Sequence, residues 1–226
     1  MINVYCMETA PFQQENAFSI YQNKIEEKRR NQILHTKNRE VQVCSLATGV
    51  LLHDCVCKKL GVDAESKEAF RIGYESGGKP YLLDYPDIYF NLSHSGDYVC
   101  CVIADEPIGV DIQKHIDYRE QIAQRFFTDL DLEYLSLVTE EAKQETFFRI
   151  WCRKESYGKL IGQGLAGSLN SFEIDWEQDA AMTMNHNGTL EPAAYFQECK
   201  AIPGYSLCVC KGTGVMFHFR FQMGRP

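Results

Sequence analysis

The chain has 226 residues, 45% of them hydrophobic and 24% charged, which is enough for one large domain or two small ones with a real core. A net charge of −8 excludes bulk nucleic-acid binding, and no apolar run approaches the roughly 20 residues of a membrane span. Met1–Tyr5 lacks a signal-peptide pattern, so the expectation is a cytoplasmic protein with no membrane partner.

Ile2, Val4 and Cys6 alternate with other residues, which predicts a half-buried first strand. Helices are predicted over about Ile25–Leu34 and Glu40–Leu60, the second stopped by Gly61. Lys24–Arg39 carries six cations and His35; alone it reads as a solvated helix face, yet on an acidic protein it suits a small anionic ligand. Gly77-Gly78-Lys79-Pro80 is a turn signal leading into a strand over Asp87–Leu92, with Ile88, Phe90 and Leu92 on one face. Tyr98–Ala104 is almost wholly apolar, a strand buried on both faces.

After a turn at Asp105-Glu106-Pro107 comes Ile108-Gly109-Val110-Asp111-Ile112-Gln113, with a clean period of two. Asp111 and Gln113 therefore share a face beside a glycine that leaves room for close approach. Helical patterns run from about Tyr118 to Leu137 and from about Glu140 to Ile161, and strands are predicted at Ser171–Trp176, Ala193–Lys200, Tyr205–Cys210 and Val215–Phe221. The order of elements predicts an α+β fold of two comparable halves, 1–105 and 106–226. The ten cysteines include no C-x-x-C pair, so they read as buried reduced thiols.

Trp151-Cys152-Arg153-Lys154-Glu155-Ser156-Tyr157-Gly158-Lys159 places one acid among three cations, with Gly162, Gly164 and Gly167 soon after. As a helix, it puts Phe147, Ile150, Trp151, Lys154, Tyr157 and Ile161 on an apolar stripe, and Phe148, Cys152, Glu155 and Lys159 on an adjoining strip. A Glu–Lys pair one turn apart is ordinarily a weak surface pair. Two companions argue for more: Asp111, an acid on a strand with a buried side, and His94 at a strand end among Ser93, Ser95 and Gly96.

Gly78-Lys79-Pro80, Phe90–Gly96, Gly109–Gln113, Arg125-Phe126-Phe127 and Trp151–Lys159 occur in the order of a known family. The sequence resembles the 4′-phosphopantetheinyl transferases, of the two-halved type that activates surfactin synthetase. The resemblance implies two pseudo-twofold-related α+β subdomains with the active site in the cleft between them, acting as a monomer. It also implies a magnesium-dependent enzyme, a holo-carrier-protein synthase. Such an enzyme moves the phosphopantetheine arm of coenzyme A to a serine of an acyl or peptidyl carrier protein, releasing 3′,5′-ADP. The carrier would belong to fatty-acid, polyketide or nonribosomal-peptide assembly. The alternative is a coenzyme A-binding regulatory protein without turnover.

By the same resemblance, Asp111, Gln113 and Glu155 are the metal ligands, and Glu155 also takes the serine proton, directly or through water. Lys159 stabilises or protonates the departing phosphate. Lys28 matches a lysine that clamps the 3′-phosphate of coenzyme A, assisted by His94 and Ser45, and Arg30 or Arg29 can serve too. Lys79, Pro80 and Ser93 fall beside the nucleotide. Many relatives carry Glu at Gln113, so metal binding is expected to rest mainly on Asp111 and Glu155.

Overall fold

The computed structural model describes residues 1–65, 70–118, 120–162, 169–212 and 217–224. In chain order the elements are β1 (Ile2–Glu8), α1 (Ala17–Tyr21), α2 (Glu27–His35), α3 (Arg39–Leu60), β2 (Ile72–Tyr74), β3 (Pro80–Leu82), β4 (Tyr89–Ser95), β5 (Tyr98–Ala104) and β6 (Ile108–Lys114). They continue with α4 (Glu120–Phe126), α5 (Asp129–Leu137), α6 (Glu140–Leu160), β7 (Glu173–Asp175), β8 (Ala180–Met184), β9 (Leu190–Cys199), β10 (Tyr205–Lys211) and β11 (Phe219–Met223). Helices and sheets are both present in each of two compact units, Met1–Glu106 with Phe219–Pro226, and Pro107–His218. The architecture is α+β.

In the first unit a sheet of order β11-β1-β5-β4 is packed by α3. β1 runs antiparallel to β5 and parallel to β11. Tyr5, Met7, Val99, Cys101 and Ile103 of the sheet join Leu46, Val50 and Leu51 of α3 in one core. Asn38 opens α3, its Oδ1 accepting from Glu40 N at 2.9 Å and Val41 N at 3.3 Å, which satisfies donors that a helix start leaves without partners. Gly61 closes it at φ 69°, with Val62 N–H reaching back to Cys57 O at 3.0 Å, a turn that a side chain would strain. By length and composition alone α3 could cross a membrane, but 67% of its most apolar stretch is buried inside the protein, as in a core helix.

The second unit is an antiparallel sheet of order β6-β10-β9-β8-β7, with α6 packed on β6 and β10. Opposite partners on β6 and β10 are Gly109 with Cys210, Asp111 with Cys208, and Gln113 with Ser206. Cys208 and Cys210 belong to the core that holds Phe147, Cys152 and Tyr157 of α6. Gly109, Asp111 and Gln113 therefore face the helix.

Three sequence expectations change. The predicted helix Tyr118–Leu137 is two helices, α4 and α5, because Thr128 and Asp131 form a capping box that starts a new one; Arg119 lies outside the described residues. The strand expected at Val215–Phe221 is Phe219–Met223, and Val215 lies outside the described residues, as do Gly164 and Gly167. The halves 1–105 and 106–226 place this last strand in the second half, whereas it completes the first sheet by pairing with β1.

Candidate active site

The site is built where α6 meets β6. A Cβ on Gly109 would overlap the carbonyl oxygen of Ser156 and lie 2.8 Å from Leu160 N. Helix and strand backbones thus touch, and only a residue without a side chain permits it. This contact sets the last two turns of α6, which carry Glu155 and Lys159, against the face that carries Asp111 and Gln113.

Both oxygens of Asp111 are engaged: Lys159 Nζ donates to Oδ1 at 2.6 Å and Gln113 Nε2 donates to Oδ2 at 3.1 Å. Asp111 is only 2% exposed. Glu155, 6% exposed, behaves differently. Its Oε1 is buried with no hydrogen-bond partner, an uncommon state for a carboxylate. Burial, then the negative charge of Asp111, pushes its pKa up to about 7, while Lys159 opposes the shift. The two acids, 44 positions apart in sequence (155 − 111), therefore sense each other's charge. Cys152, one turn before Glu155, donates to Ser206 O at 3.2 Å, and burial and then Asp111 push its thiol up.

Residues on either side of Glu155 fix the rotation of α6. Lys154 is fully buried, pairs with Asp131 Oδ2 at 2.7 Å, and donates to the carbonyls of Leu169 at 2.8 Å and Phe172 at 3.2 Å. Arg153 donates to Glu198 at 2.8 Å and Asp179 at 2.6 Å and lies 4.2 Å from the Trp176 ring centroid. Arg149 holds the other oxygen of Glu198 at 2.8 Å. Three successive residues thus point in three directions, and Glu155 takes the one toward Asp111. The sequence gives no role to Arg153 or Asp131; the Thr128-x-x-Asp131 spacing was the available sign of the latter.

Oxygen-bearing side chains, two carboxylates and a carboxamide, suit a hard cation. Among the described residues no cluster of three or more His, Cys, Asp or Glu side chains could hold a metal. Two carboxylates lie within the one or two that magnesium commonly takes from a protein. The buried orphan oxygen of Glu155 fits a missing electropositive partner. Gln113, expected as a ligand, turns its amide nitrogen onto Asp111.

The expected nucleotide contacts lie in the first unit. Lys28 is exposed, its Nζ 3.2 Å from the Tyr74 ring centroid, and the Tyr74 hydroxyl donates to Glu26. Arg30 Nη1 donates to the carbonyls of Ile25 at 2.7 Å and Gln22 at 3.2 Å, just before α2. Arg29 instead reaches Ser45 O at 3.4 Å. His94 and Ser93 point to opposite faces of β4, His94 exposed and Ser93 buried. Lys79 and Pro80 stand at the β2–β3 turn, with Gly78 at φ 82°, and burial lowers the Lys79 pKa against the pull of Glu75.

A buried carboxylate oxygen without a partner, beside a second acid and a lysine, is the kind of perturbed cluster found at functional sites. The family model "4′-phosphopantetheinyl transferase superfamily" matches residues 107–210, and "4′-phosphopantetheinyl transferase, N-terminal" matches residues 10–107. The 4′-phosphopantetheinyl transferase Sfp of Bacillus subtilis (strain 168) is 33% identical over 168 residues, 74% of this chain and 72% of that one. The 4′-phosphopantetheinyl transferase gsp of Aneurinibacillus migulanus is 35% identical over 59% of this chain and 54% of its own. The rat L-aminoadipate-semialdehyde dehydrogenase-phosphopantetheinyl transferase is 33% identical over 58% of this chain and 46% of its own. Likeness to the crystal structure of Thermotoga maritima holo-[acyl-carrier-protein] synthase is too loose to carry weight, at 16% identity and a TM-score of 0.33 over 46% of this chain and 61% of that one. The chain belongs to the 4′-phosphopantetheinyl transferases.

Proposed function

We propose that the protein transfers the 4′-phosphopantetheine arm of coenzyme A to a serine hydroxyl of an apo acyl or peptidyl carrier protein, releasing 3′,5′-ADP, as a cytoplasmic monomer. The observation that carries this reading is the orphaned, buried Oε1 of Glu155 beside Asp111 and Lys159, in a chain of this family. Attack of an alcohol on a diphosphate needs a positioned nucleophile and neutralised phosphate oxygens.

Asp111 and Glu155 would hold a magnesium ion, with Gln113 offering its carbonyl oxygen or holding a water. When bound, the ion supplies the charge neutralisation of the diphosphate. Glu155 takes the proton of the incoming serine, directly or through water. Lys159 Nζ then stabilises or protonates the departing phosphate. In the first unit, Lys28, Ser45 and His94 receive the 3′-phosphate, and Lys79 and Pro80 flank the adenine.

The test is incubation with coenzyme A, magnesium and several apo carrier proteins, read by mass spectrometry of the carrier. Addition of the phosphopantetheine arm is expected. Coenzyme A binding with no mass shift on any carrier would identify a binding protein instead.

A further inference from the structure

Asp111 already has a cation. Lys159 Nζ sits 2.6 Å from Oδ1, and Gln113 Nε2 fills Oδ2 at 3.1 Å. An incoming dication must therefore compete with a resident ammonium for the buried acid it needs most. Gln113 sharpens the competition: a neutral carboxamide satisfies Asp111 but adds no negative charge to attract a second cation. Glu155, by contrast, has an oxygen with nothing bound to it. Without ligands the site is balanced at one acid and left open at the other.

We propose that Lys159 is the resident counter-ion of Asp111 and leaves it only for the diphosphate of the substrate, so that the divalent cation enters together with coenzyme A and not before it. This rests on the transferase reading above. The physical basis is exchange of partners. Lys159 stands on the last turn of α6, with its side chain 24% exposed, and its long stem lets the ammonium swing. A diphosphate offers it a stronger anion than one carboxylate, and the vacated Oδ1 becomes a ligand. Metal and coenzyme A thus bind with positive coupling, and each raises the affinity of the other by the same factor. An opposite charge at such distances shifts a carboxylate's affinity for a proton by about one to three powers of ten. The competing ammonium should depress cation affinity by tenfold or more on the same grounds.

The test titrates Mn²⁺, as a spectroscopic probe, into the protein with and without coenzyme A and with no carrier present, so that nothing turns over. Free Mn²⁺ is read by electron paramagnetic resonance. Wild type alone should bind weakly, and coenzyme A should tighten binding about tenfold or more. Lys159→Met alone should bind Mn²⁺ about tenfold more tightly than wild type alone, and the boost from coenzyme A should shrink. Lys159→Gln, which keeps the reach and a hydrogen bond without the charge, should behave as Lys159→Met does. Equal Mn²⁺ affinity of wild type with and without coenzyme A overturns the proposal, as does equal affinity of wild type and both variants in its absence. Either result leaves the transferase reading intact. If no form binds Mn²⁺ while coenzyme A still binds, the metal site itself is wrong and the proposal goes with it.

Discussion

Replacing Glu155 with Gln removes a charge that the fold accommodates poorly, and the consequence is readable without substrate. Burial and Asp111 lift this carboxyl from 4.5 to about 7. At about 1.4 kcal/mol per pKa unit, the charged form is disfavoured in the folded protein by about 3 kcal/mol. Because the folded value lies above the unfolded one, the neutral acid contributes its full stability below pH 4.5, and that stability is lost as pH rises through about 7. Glu155→Gln keeps the shape and has no charge to bury. In metal-free protein the variant should melt roughly 6–12 °C above wild type at pH 8, given about 2–4 °C per kcal/mol for a chain of this size. The gap should close to a degree or two at pH 5, on the order expected when most of the wild-type group is protonated in the fold. Scanning calorimetry at the two pH values measures it. An equal difference at both, or a less stable variant at pH 8, refutes the claim that Glu155 is an unsatisfied buried acid. The same variant should lose transfer by about 10²-fold or more; near-normal turnover would remove Glu155 from the chemistry.

Gly109→Ala drives a methyl group into the Ser156 carbonyl and toward Leu160 N, backbone atoms that cannot step aside. It should cost about 3 kcal/mol in guanidinium unfolding and depress transfer, whereas wild-type stability would show that helix and strand have slack. Lys154→Met leaves Asp131 buried and unpaired, a loss of about 3–5 kcal/mol; adding Asp131→Asn should recover part of it, and no recovery would mean the ion pair is not the reason. Gln113→Glu should tighten magnesium binding by calorimetry, and unchanged or weaker binding would contradict a site limited by its charge. In native protein a thiol reagent should label Cys44 and Cys199, which are half-buried, before the eight buried cysteines; early labelling of Cys152 or Cys208 would contradict the packing of α6 on β10.

The parts of the fold readable in the sequence are those whose pattern is local. Tyr98–Ala104 is apolar without interruption, Ile108–Gln113 alternates, and Gly61 sits where the helix needs a left-handed residue. β8 was missed because Ala180–Met184 has no clear alternation, and its register slips between Ala181 and Met182. Arg153 looks solvated in the sequence and is 3% exposed in the fold, because Glu198 on β9 and Asp179 in the turn before β8, which neutralise it, lie far along the chain. Lys154 could be placed on the buried stripe by spacing alone, yet its partner Asp131 could not. In the site, Asp111, Glu155 and Lys159 were legible from motif and periodicity. That Lys159 rests on Asp111, and that Arg30 is tied to the start of α2, depend on rotamers that only neighbours decide.

The parallel pairing of β11 with β1 joins two strands far apart along the chain in one sheet. During synthesis β1 emerges well before β11, and one of its edges stays bare until residues 219–223 leave the ribosome. The unit made earliest is thus the last to be completed, and an open edge of this kind is an invitation to mispairing. A nascent chain would have to shield that edge until β11 is made, and a truncation just before Phe219 would damage the first unit while sparing the second.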